Sequence, residues 1–187
     1  MKFAAGAQFI LKNNLEKESK TKLSTIIYGN VLNSTGSIIP MIWQAIYSSS
    51  KLTLFSKEMT RFLIDAEEAL DLIFKGLAID GASIIPKSKS AKILDLFEIY
   101  KEKFNLQYII GNPRVGEKIH EILASKEEMQ RMSNSQCSTF FILRPTFSND
   151  NKVFDGLTIG EDYSSKDSLI LKSELNKLLD KYNYFEP

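Results

Sequence analysis

The sequence has few residues that form disulfides or bind transition metals. It contains one cysteine, Cys137, and one histidine, His120, among 187 residues. A single cysteine excludes a disulfide within the chain, and one histidine with one cysteine does not make a zinc ligand set. We therefore predict no metal site, and we interpret Cys137 as an ordinary buried or half-buried thiol rather than a nucleophile.

Strong net charge and long hydrophobic runs are also missing. The 24 basic and 23 acidic side chains leave a formal charge of +1, which indicates neither a nucleic-acid partner nor an anionic membrane surface. No apolar run reaches the length of a membrane span. The apolar stretch from Phe3 to Leu11 is interrupted by Gln8 and runs into charged residues instead of a cleavage site. We therefore reject a signal peptide, expect a cytoplasmic protein, and predict an amphipathic helix in this stretch.

A third absence concerns the arrangement of glycine. None of the 9 glycines forms the Gly-x-x-Gly-x-x-Gly pattern that follows a strand and binds the pyrophosphate of a dinucleotide. We therefore expect no complete dinucleotide site in this chain. Hydrophobic residues, at 43% of the sequence, are sufficient for the core of one globular domain.

The most informative stretch that is present joins an apolar segment to a polar loop. The β-branched run Leu23–Tyr28 is typical of a buried strand of a parallel sheet. The loop after it holds Gly29 and Gly36, which allow close backbone approach, and Ser37, which can cap a following helix. Such loops bind ligands beyond the carboxyl ends of strands in open α/β sheets, but they also occur as ordinary turns with nothing bound. Spacing alone leaves both interpretations open.

Apolar spacing along the rest of the chain alternates between helix and strand. It predicts helices over 38–47, from Asp65 onwards, over about 90–104, over 117–124 and from Ser173 onwards. It predicts strands over 52–55, 60–64, 82–86, 107–110 and 138–143. This alternation, without an internal repeat, indicates an α/β fold.

Five motif blocks carry a family resemblance. Tyr-Gly-Asn-Val at 28–31, followed by Ser-x-Gly-Ser-x-x-Pro at 34–40, resembles a segment of the CapD-like polysaccharide biosynthesis family, whose members include UDP-N-acetylglucosamine 4,6-dehydratases. The family is a branch of the extended short-chain dehydrogenase/reductases. Four further blocks resemble it in the same order: Met59–Leu63, Ile85–Lys87 with Ala91–Leu96, Arg114–Lys118 with His120-Glu121, and Asp162–Ser165.

The resemblance implies a particular part of that fold. The chain would be the C-terminal remnant of a Rossmann-type extended short-chain dehydrogenase/reductase, with its small substrate-binding α/β subdomain. Residues 1–50 would form the last helix-strand-helix portion of a truncated Rossmann domain, and residues 51–187 the nucleotide-sugar subdomain with a C-terminal helix.

Site residues also follow from the resemblance. Lys2 would be the catalytic lysine at the start of a helix, and Tyr28 and Asn30 would contact the cofactor, NADP in complete family members. A UDP-sugar needs cations for its phosphates and a carboxylate for its ribose hydroxyls. The predicted substrate ligands are Asn30, Ser37, Arg61, Arg114 and Glu117. The alternative for each arginine is a surface ion pair, and we interpret His120 as a helix-face residue without a catalytic role.

Departures from the family pattern bear on activity. The family has glutamate, arginine, arginine and proline where this sequence has Gly6, Ile27, Thr35 and Val115. We therefore expect a truncated dehydratase-like protein that is inactive alone, does not bind NADP by itself and binds a UDP-sugar weakly. The alternatives are a non-catalytic nucleotide-sugar-binding or subunit-interaction module that complements a separately encoded Rossmann half, or self-association, or a product with no function.

Overall fold

A computed structural model describes residues 21–113, 115–136, 139–145 and 161–186. Lys2, Arg114, Cys137 and the predicted N-terminal helix lie outside the described residues. The helices of the described part are α1 (Ile38–Tyr47), α2 (Ala66–Gly76), α3 (Ile93–Phe104), α4 (Lys126–Met129) and α5 (Lys172–Lys181). Its strands are β1 (Thr25–Ile26), β2 (Asn30–Val31), β3 (Lys51–Leu54), β4 (Thr60–Ile64), β5 (Ser83–Pro86), β6 (Lys89–Lys92), β7 (Gln107–Ile110), β8 (Ile122–Ala124), β9 (Met132–Asn134), β10 (Phe140–Leu143) and β11 (Tyr163–Ser164).

The chain divides into two compact units, each assembled from three stretches. The first unit, called unit A, comprises the described residues of 1–28, 67–87 and 122–163, and unit B comprises those of 29–66, 88–121 and 164–187. The predicted division into 1–50 and 51–187 stays a prediction.

Unit A contains a four-stranded sheet with the order β1-β5-β10-β9. Strand β1 runs parallel to β5, whereas β10 is antiparallel to both β5 and β9. Helix α2 packs on this sheet through Gly76, where an added Cβ would lie 2.7 Å from Ile26 Cδ1. The helix therefore lies close to the sheet at Gly76, and a larger residue there would require the end of the Ile26 side chain to shift.

Unit B contains a three-stranded sheet, β2-β4-β6, and the parallel pair β3-β7. Helices α1, α3 and α5 supply most of its core. The apolar residues of α1 recur at helical spacing, so Ile39, Ile42 and Trp43 are buried together. The ring of Trp43 packs edge-on against Tyr100 of α3, with centroids 5.7 Å apart.

The α/β class is confirmed, as are helix 38–47 and strands 60–64 and 107–110. Two element predictions are wrong. Residues 89–92 form a strand that pairs antiparallel with β4, so the helix predicted from about residue 90 begins only at Ile93. Residues 117–121 are not helical and 122–124 form β8, so the helix predicted over 117–124 is absent.

Strand β1 is shorter than the predicted Leu23–Tyr28 and only half-buried. In the order of the described strands it stands at one end of that sheet, beside β5. None of the described helices has the length and apolar character needed to cross a membrane.

Candidate functional site

Three of the motif blocks converge on one polar cluster in unit B. We use the name polar cluster for Thr60, Arg61, Glu117, His120, Glu121 and Ser165. Thr60 and Arg61 open β4, the next three residues belong to the loop that ends at β8, and Ser165 follows β11. Direct hydrogen bonds join positions up to 105 residues apart in sequence.

Arg61 is held in a fixed orientation within this cluster. Its Nη1 donates to the carbonyl oxygens of Thr60 at 2.8 Å and Ile119 at 3.2 Å. Its Nη2 donates to Glu117 Oε1 at 3.0 Å, and its Nε lies 3.9 Å from Glu121 Oε1. Since only 13% of the Arg61 side chain is exposed, the guanidinium is a partly desolvated cation between two carboxylates.

Glu121 links the loop to the backbone of β4. Its Oε2 accepts a hydrogen bond from the Phe62 N–H at 3.0 Å. Burial raises the pKa of the Glu121 carboxyl, while this hydrogen bond and the charges of Arg61 and Lys118 oppose the rise. Glu121 is therefore a half-buried acceptor that positions β4 and Arg61 together.

Three hydroxyl and imidazole groups fix the loop from the other side. Thr60 Oγ1 lies 2.8 Å from His120 Nδ1 and 2.6 Å from Ser165 Oγ. The Glu121 N–H donates to Ser165 Oγ at 2.9 Å, and the Ser165 N–H donates to the Glu121 carbonyl at 2.8 Å. His120 thus lies in a non-helical loop, so its predicted position on a helix face is wrong, and its ring is hydrogen-bonded to Thr60.

The predicted substrate ligands are only partly brought together. Arg61 and Glu117 are in direct contact, and Arg114 lies outside the described residues. Asn30 is exposed on β2, beside Leu63 of β4, and makes no side-chain hydrogen bond in the described part of the chain. The ion pair considered as the alternative for Arg61 is present, but in a partly buried form that orients the guanidinium.

Ser37 occupies the N-cap position of α1 without capping it. Its N–H donates to the Ser34 carbonyl at 2.9 Å, but its side chain makes no cap hydrogen bond. The Oγ atom is buried and has no hydrogen-bond partner among the described residues. The side-chain cap that Ser37 could provide is thus not formed, and its hydroxyl remains available as a donor or acceptor.

The close backbone approach that Gly29 permits is made to a neighbouring strand. A Cβ at Gly29 would lie 2.5 Å from the Phe62 Cβ. Gly36 has a φ of 76° with open space around it, so it serves the turn. Both glycines are therefore explained by the fold without a ligand.

The predicted cofactor contacts fit only part of NADP. Tyr28 and Asn30 flank Gly29, and both side chains are exposed. An uncharged phenol and an amide can contact a nicotinamide or a ribose, but they do not neutralise a pyrophosphate. Tyr28 and Asn30 therefore do not bind the pyrophosphate of a dinucleotide by charge, and the predicted catalytic residue, Lys2, lies outside the described residues.

Unit B also has an open groove of about 630 Å³, which is formed by residues outside the polar cluster. It is lined by Asn33, Pro40, Trp43, Gln44, Tyr47 and Ser48. None of the predicted ligands lines it, and it offers no charged group to a diphosphate.

Sequence reasoning missed the roles of Thr60, Glu121 and Ser165. All three lie within or beside the motif blocks, so the blocks marked the right segments. The pairing between residues 60 and 165 has no local signal in the sequence, because it depends on the return of the chain after β11.

Comparisons with known proteins agree on the family. The Polysaccharide biosynthesis protein family matches residues 1–143. An uncharacterized membrane protein of Methanocaldococcus jannaschii is 33% identical over 188 residues, which cover 94% of this chain and 54% of that protein. A UDP-N-acetylglucosamine 4,6-dehydratase (inverting) of Campylobacter jejuni is 29% identical over 199 residues, which cover 99% of this chain and 58% of the dehydratase.

A solved structure shows the same fold. The X-ray structure of Pen from Bacillus thuringiensis matches with a TM-score of 0.83 at 23% identity, over 98% of this chain and 56% of that one. The chain spans about half the length of the curated relatives that it matches. With the family matched over most of its length, the chain belongs to the Polysaccharide biosynthesis protein family, and the CapD-like membership predicted from its motifs is confirmed.

Proposed function

We propose that this chain binds the UDP portion of a nucleotide sugar, as the substrate-binding part of a dehydratase- or epimerase-like protein of polysaccharide biosynthesis. One observation carries the proposal. Arg61 and Glu117, predicted separately as a phosphate ligand and a ribose ligand, lie 3.0 Å apart although 56 residues separate them in sequence. Glu117, three residues after Arg114 in the sequence, therefore contacts Arg61.

The chemistry of the polar cluster suits a nucleoside diphosphate. A guanidinium offers five N–H donors in a planar fork, and a carboxylate accepts from two vicinal hydroxyls. Arg61 uses both Nη1 hydrogens on backbone carbonyls and one Nη2 hydrogen on Glu117. If Glu117 turned to a ribose diol, Arg61 would gain a donor for a phosphate oxygen without losing its backbone anchors.

The same contacts predict weak affinity. Binding must break the Arg61–Glu117 pair, and a hydrogen bond to a charged group contributes about 1.5–3 kcal/mol. Ile27 and Thr35 also stand where the family has arginines. Within this proposal the substrate is UDP-N-acetylglucosamine, which the name of the Campylobacter jejuni relative supports, and the site of action is the cytoplasm.

A ligand series tests the proposal. We expect UDP to bind more tightly than UMP, and UMP more tightly than uridine, in titrations followed by calorimetry, because each phosphate adds contact with arginine. ADP at the same concentration is the control for the base. Equal affinity for uridine and UDP would contradict a phosphate-binding role for this site.

A second candidate is a partnership with a chain that supplies a Rossmann half. One observation favours it: the curated relatives are nearly twice as long as this chain. Addition of the separately produced N-terminal half of a relative should then yield a complex on size-exclusion chromatography, and persistent separation of the two would contradict it.

A further inference from the structure

His120 is the only histidine of the sequence, and one of its two ring nitrogens is already engaged. Nδ1 lies 2.8 Å from Thr60 Oγ1. The ring is half-buried, and Nε2 makes no hydrogen bond within the part of the chain that the structure describes. Which of the two nitrogens carries the hydrogen of the neutral ring depends on the direction of the hydrogen bond to Thr60.

The direction of that bond follows from the groups behind Thr60. The Glu121 N–H donates to Ser165 Oγ at 2.9 Å, so the hydroxyl hydrogen of Ser165 turns to Thr60. Thr60 Oγ1, at 2.6 Å, is a closer acceptor than the Thr60 carbonyl oxygen at 3.2 Å, which already accepts from Arg61. Thr60 Oγ1 then donates its own hydrogen to His120 Nδ1. We call these bonds, from the Glu121 N–H through Ser165 and Thr60 to His120, the hydroxyl relay.

The opposite direction fits the distances less well. If Nδ1 carried the hydrogen, His120 would donate to Thr60, and Thr60 would donate to Ser165 Oγ. The hydrogen of Ser165 would then be left with the 3.2 Å contact to the Thr60 carbonyl oxygen. Thr60 and Ser165 are 1% and 0% exposed, so bulk water is not an alternative partner. The hydroxyl relay therefore keeps the hydrogen of a neutral imidazole on Nε2.

The imidazole and the guanidinium of the polar cluster are anchored to the same backbone. Arg61 Nη1 donates to the carbonyl oxygens of Thr60 and Ile119. Thr60 is the partner of the His120 ring, and Ile119 precedes His120 in the chain. The Nε2–H is thus a neutral donor held in the same cluster as a cation. This combination suits an anionic acceptor such as a phosphate oxygen.

We propose that His120 is a further ligand of the nucleotide, with its Nε2–H donating to a phosphate oxygen of the UDP portion. Thr60 and Ser165 are positioning residues that hold the ring in this tautomer. The inference rests on the proposed function and extends it by a residue to which the sequence assigned no catalytic role. It gives the two buried hydroxyls a function that acts through His120 and needs no contact of their own with the ligand.

The tautomer can be measured directly, because one histidine gives one set of imidazole signals. In a chain without a histidine tag, proton–nitrogen NMR spectra of labelled histidine in alkaline buffer should show a protonated Nε2 and an unprotonated Nδ1. Thr60→Val should give an average of the two tautomers, and Thr60→Ser should restore the parent spectrum. The control is Ser164→Ala, which removes a buried neighbouring hydroxyl outside the relay and should leave the spectrum unchanged. A protonated Nδ1 in the parent, or a Thr60→Val spectrum identical to that of the parent, would overturn the proposal.

Ligand titrations test the contact with phosphate. UDP should shift the Nε2 signal of the parent and leave the tautomer unchanged. His120→Asn keeps an oxygen near the position of Nδ1 for Thr60 but places no donor at the position of Nε2. It should therefore bind UDP about tenfold more weakly in calorimetry, with its affinity for uridine unchanged. Circular dichroism verifies that every variant is folded.

The possible outcomes distinguish this inference from the proposed function. If UDP binds the parent and His120→Asn equally and leaves the Nε2 signal in place, His120 is not a ligand, whereas UDP binding by the chain stands. Equal weakening of UDP and uridine binding by His120→Asn would show a structural role alone and would also overturn the inference. If UDP does not bind the parent at all, the proposed function and this inference both fail.

Discussion

At the residue scale, Ser37 combines a buried hydroxyl with an N-cap position that it does not use. An N-cap serine that bonds the helix stabilises a protein by about 0.5–2 kcal/mol, whereas a buried polar group without a partner costs about 1–3 kcal/mol. We therefore expect Ser37→Ala to raise the free energy of unfolding by about 1 kcal/mol in urea denaturation. A decrease of that size would show that the hydroxyl has a partner in the folded protein.

Glu121 gives a prediction about pH. Burial raises the pKa of its carboxyl above the ordinary value of 4.5, so just above that pH the folded state holds a proton that the unfolded chain releases. Stability contributed by this group therefore falls as the pH rises through that window. Glu121→Gln keeps an acceptor for the Phe62 N–H and does not ionise. Its free energy of unfolding minus that of the parent should increase from about pH 4 to about pH 7.

The control for this measurement is Glu58→Gln, which removes an exposed carboxylate of unit B. The free energy of unfolding of Glu58→Gln minus that of the parent should change less over the same pH range than the difference for Glu121→Gln. A difference for Glu121→Gln that stays constant or decreases with pH would be inconsistent with a raised pKa of the Glu121 carboxyl.

Part of the polar cluster could be predicted from sequence because two of its residues lie in short motifs. Arg61 and Glu117 each lie in a short motif that the family resemblance marks. The bonds that orient them come from Thr60, Glu121 and Ser165, and those bonds join strand, loop and C-terminal segment. Local spacing does not specify such long-range contacts.

At the element scale, the bounds of a helix or strand were predicted correctly where its apolar residues follow a single period along its whole length. Helix α1 and strand β4 have the predicted bounds because their apolar spacing matches one period throughout. The loop 117–121 has residues at helical spacing, but its backbone makes hydrogen bonds to β4 instead of forming a helix. The carbonyl of Ile119 accepts from the Thr60 N–H at 2.9 Å and from Arg61. Tertiary hydrogen bonds therefore override the local preference for helix.

Helix α3 and the C-terminus are joined by one buried hydrogen bond that can be removed cleanly. Tyr100 Oη donates to the carbonyl of Tyr184 at 2.5 Å, and Trp43 Nε1 donates to the same carbonyl at 3.4 Å. Tyr100→Phe should lower the free energy of unfolding by about 1–2 kcal/mol, because it removes the shorter of these two hydrogen bonds from a buried acceptor. Tyr108→Phe is the matched control in chemical denaturation, and an equal effect of the two variants would count against this role of Tyr100.

At the scale of the whole molecule, the two units interleave along the chain. Each is built from three stretches that are separated in sequence. A periodic pattern reports on neighbours along the chain, so it does not indicate which stretches return to the same unit. The α/β class could be predicted because it follows from the alternation of helices and strands along the sequence. The interleaving could not be predicted because it follows from contacts between distant segments.

The whole chain also carries a prediction about turnover. The 187-residue chain alone, supplied with UDP-N-acetylglucosamine and NADP, should form no 4-keto-6-deoxy sugar. Its sequence has no glycine-rich dinucleotide loop, and Tyr28 and Asn30 offer no cation to the pyrophosphate. Product detected by mass spectrometry above a control without protein would refute this expectation.

The central claim is that the segment from Arg114 to Glu117, together with Arg61, binds UDP. Calorimetric titration of UDP into the parent chain and into Arg114→Ala tests it most directly, with Lys51→Ala as a control that removes an exposed cation of unit B. We predict weak binding by the parent and by Lys51→Ala, and a loss of at least about tenfold for Arg114→Ala, since a hydrogen bond between charged groups is worth about 1.5–3 kcal/mol. Binding of UDP by Arg114→Ala as tight as that of the parent would contradict the assignment.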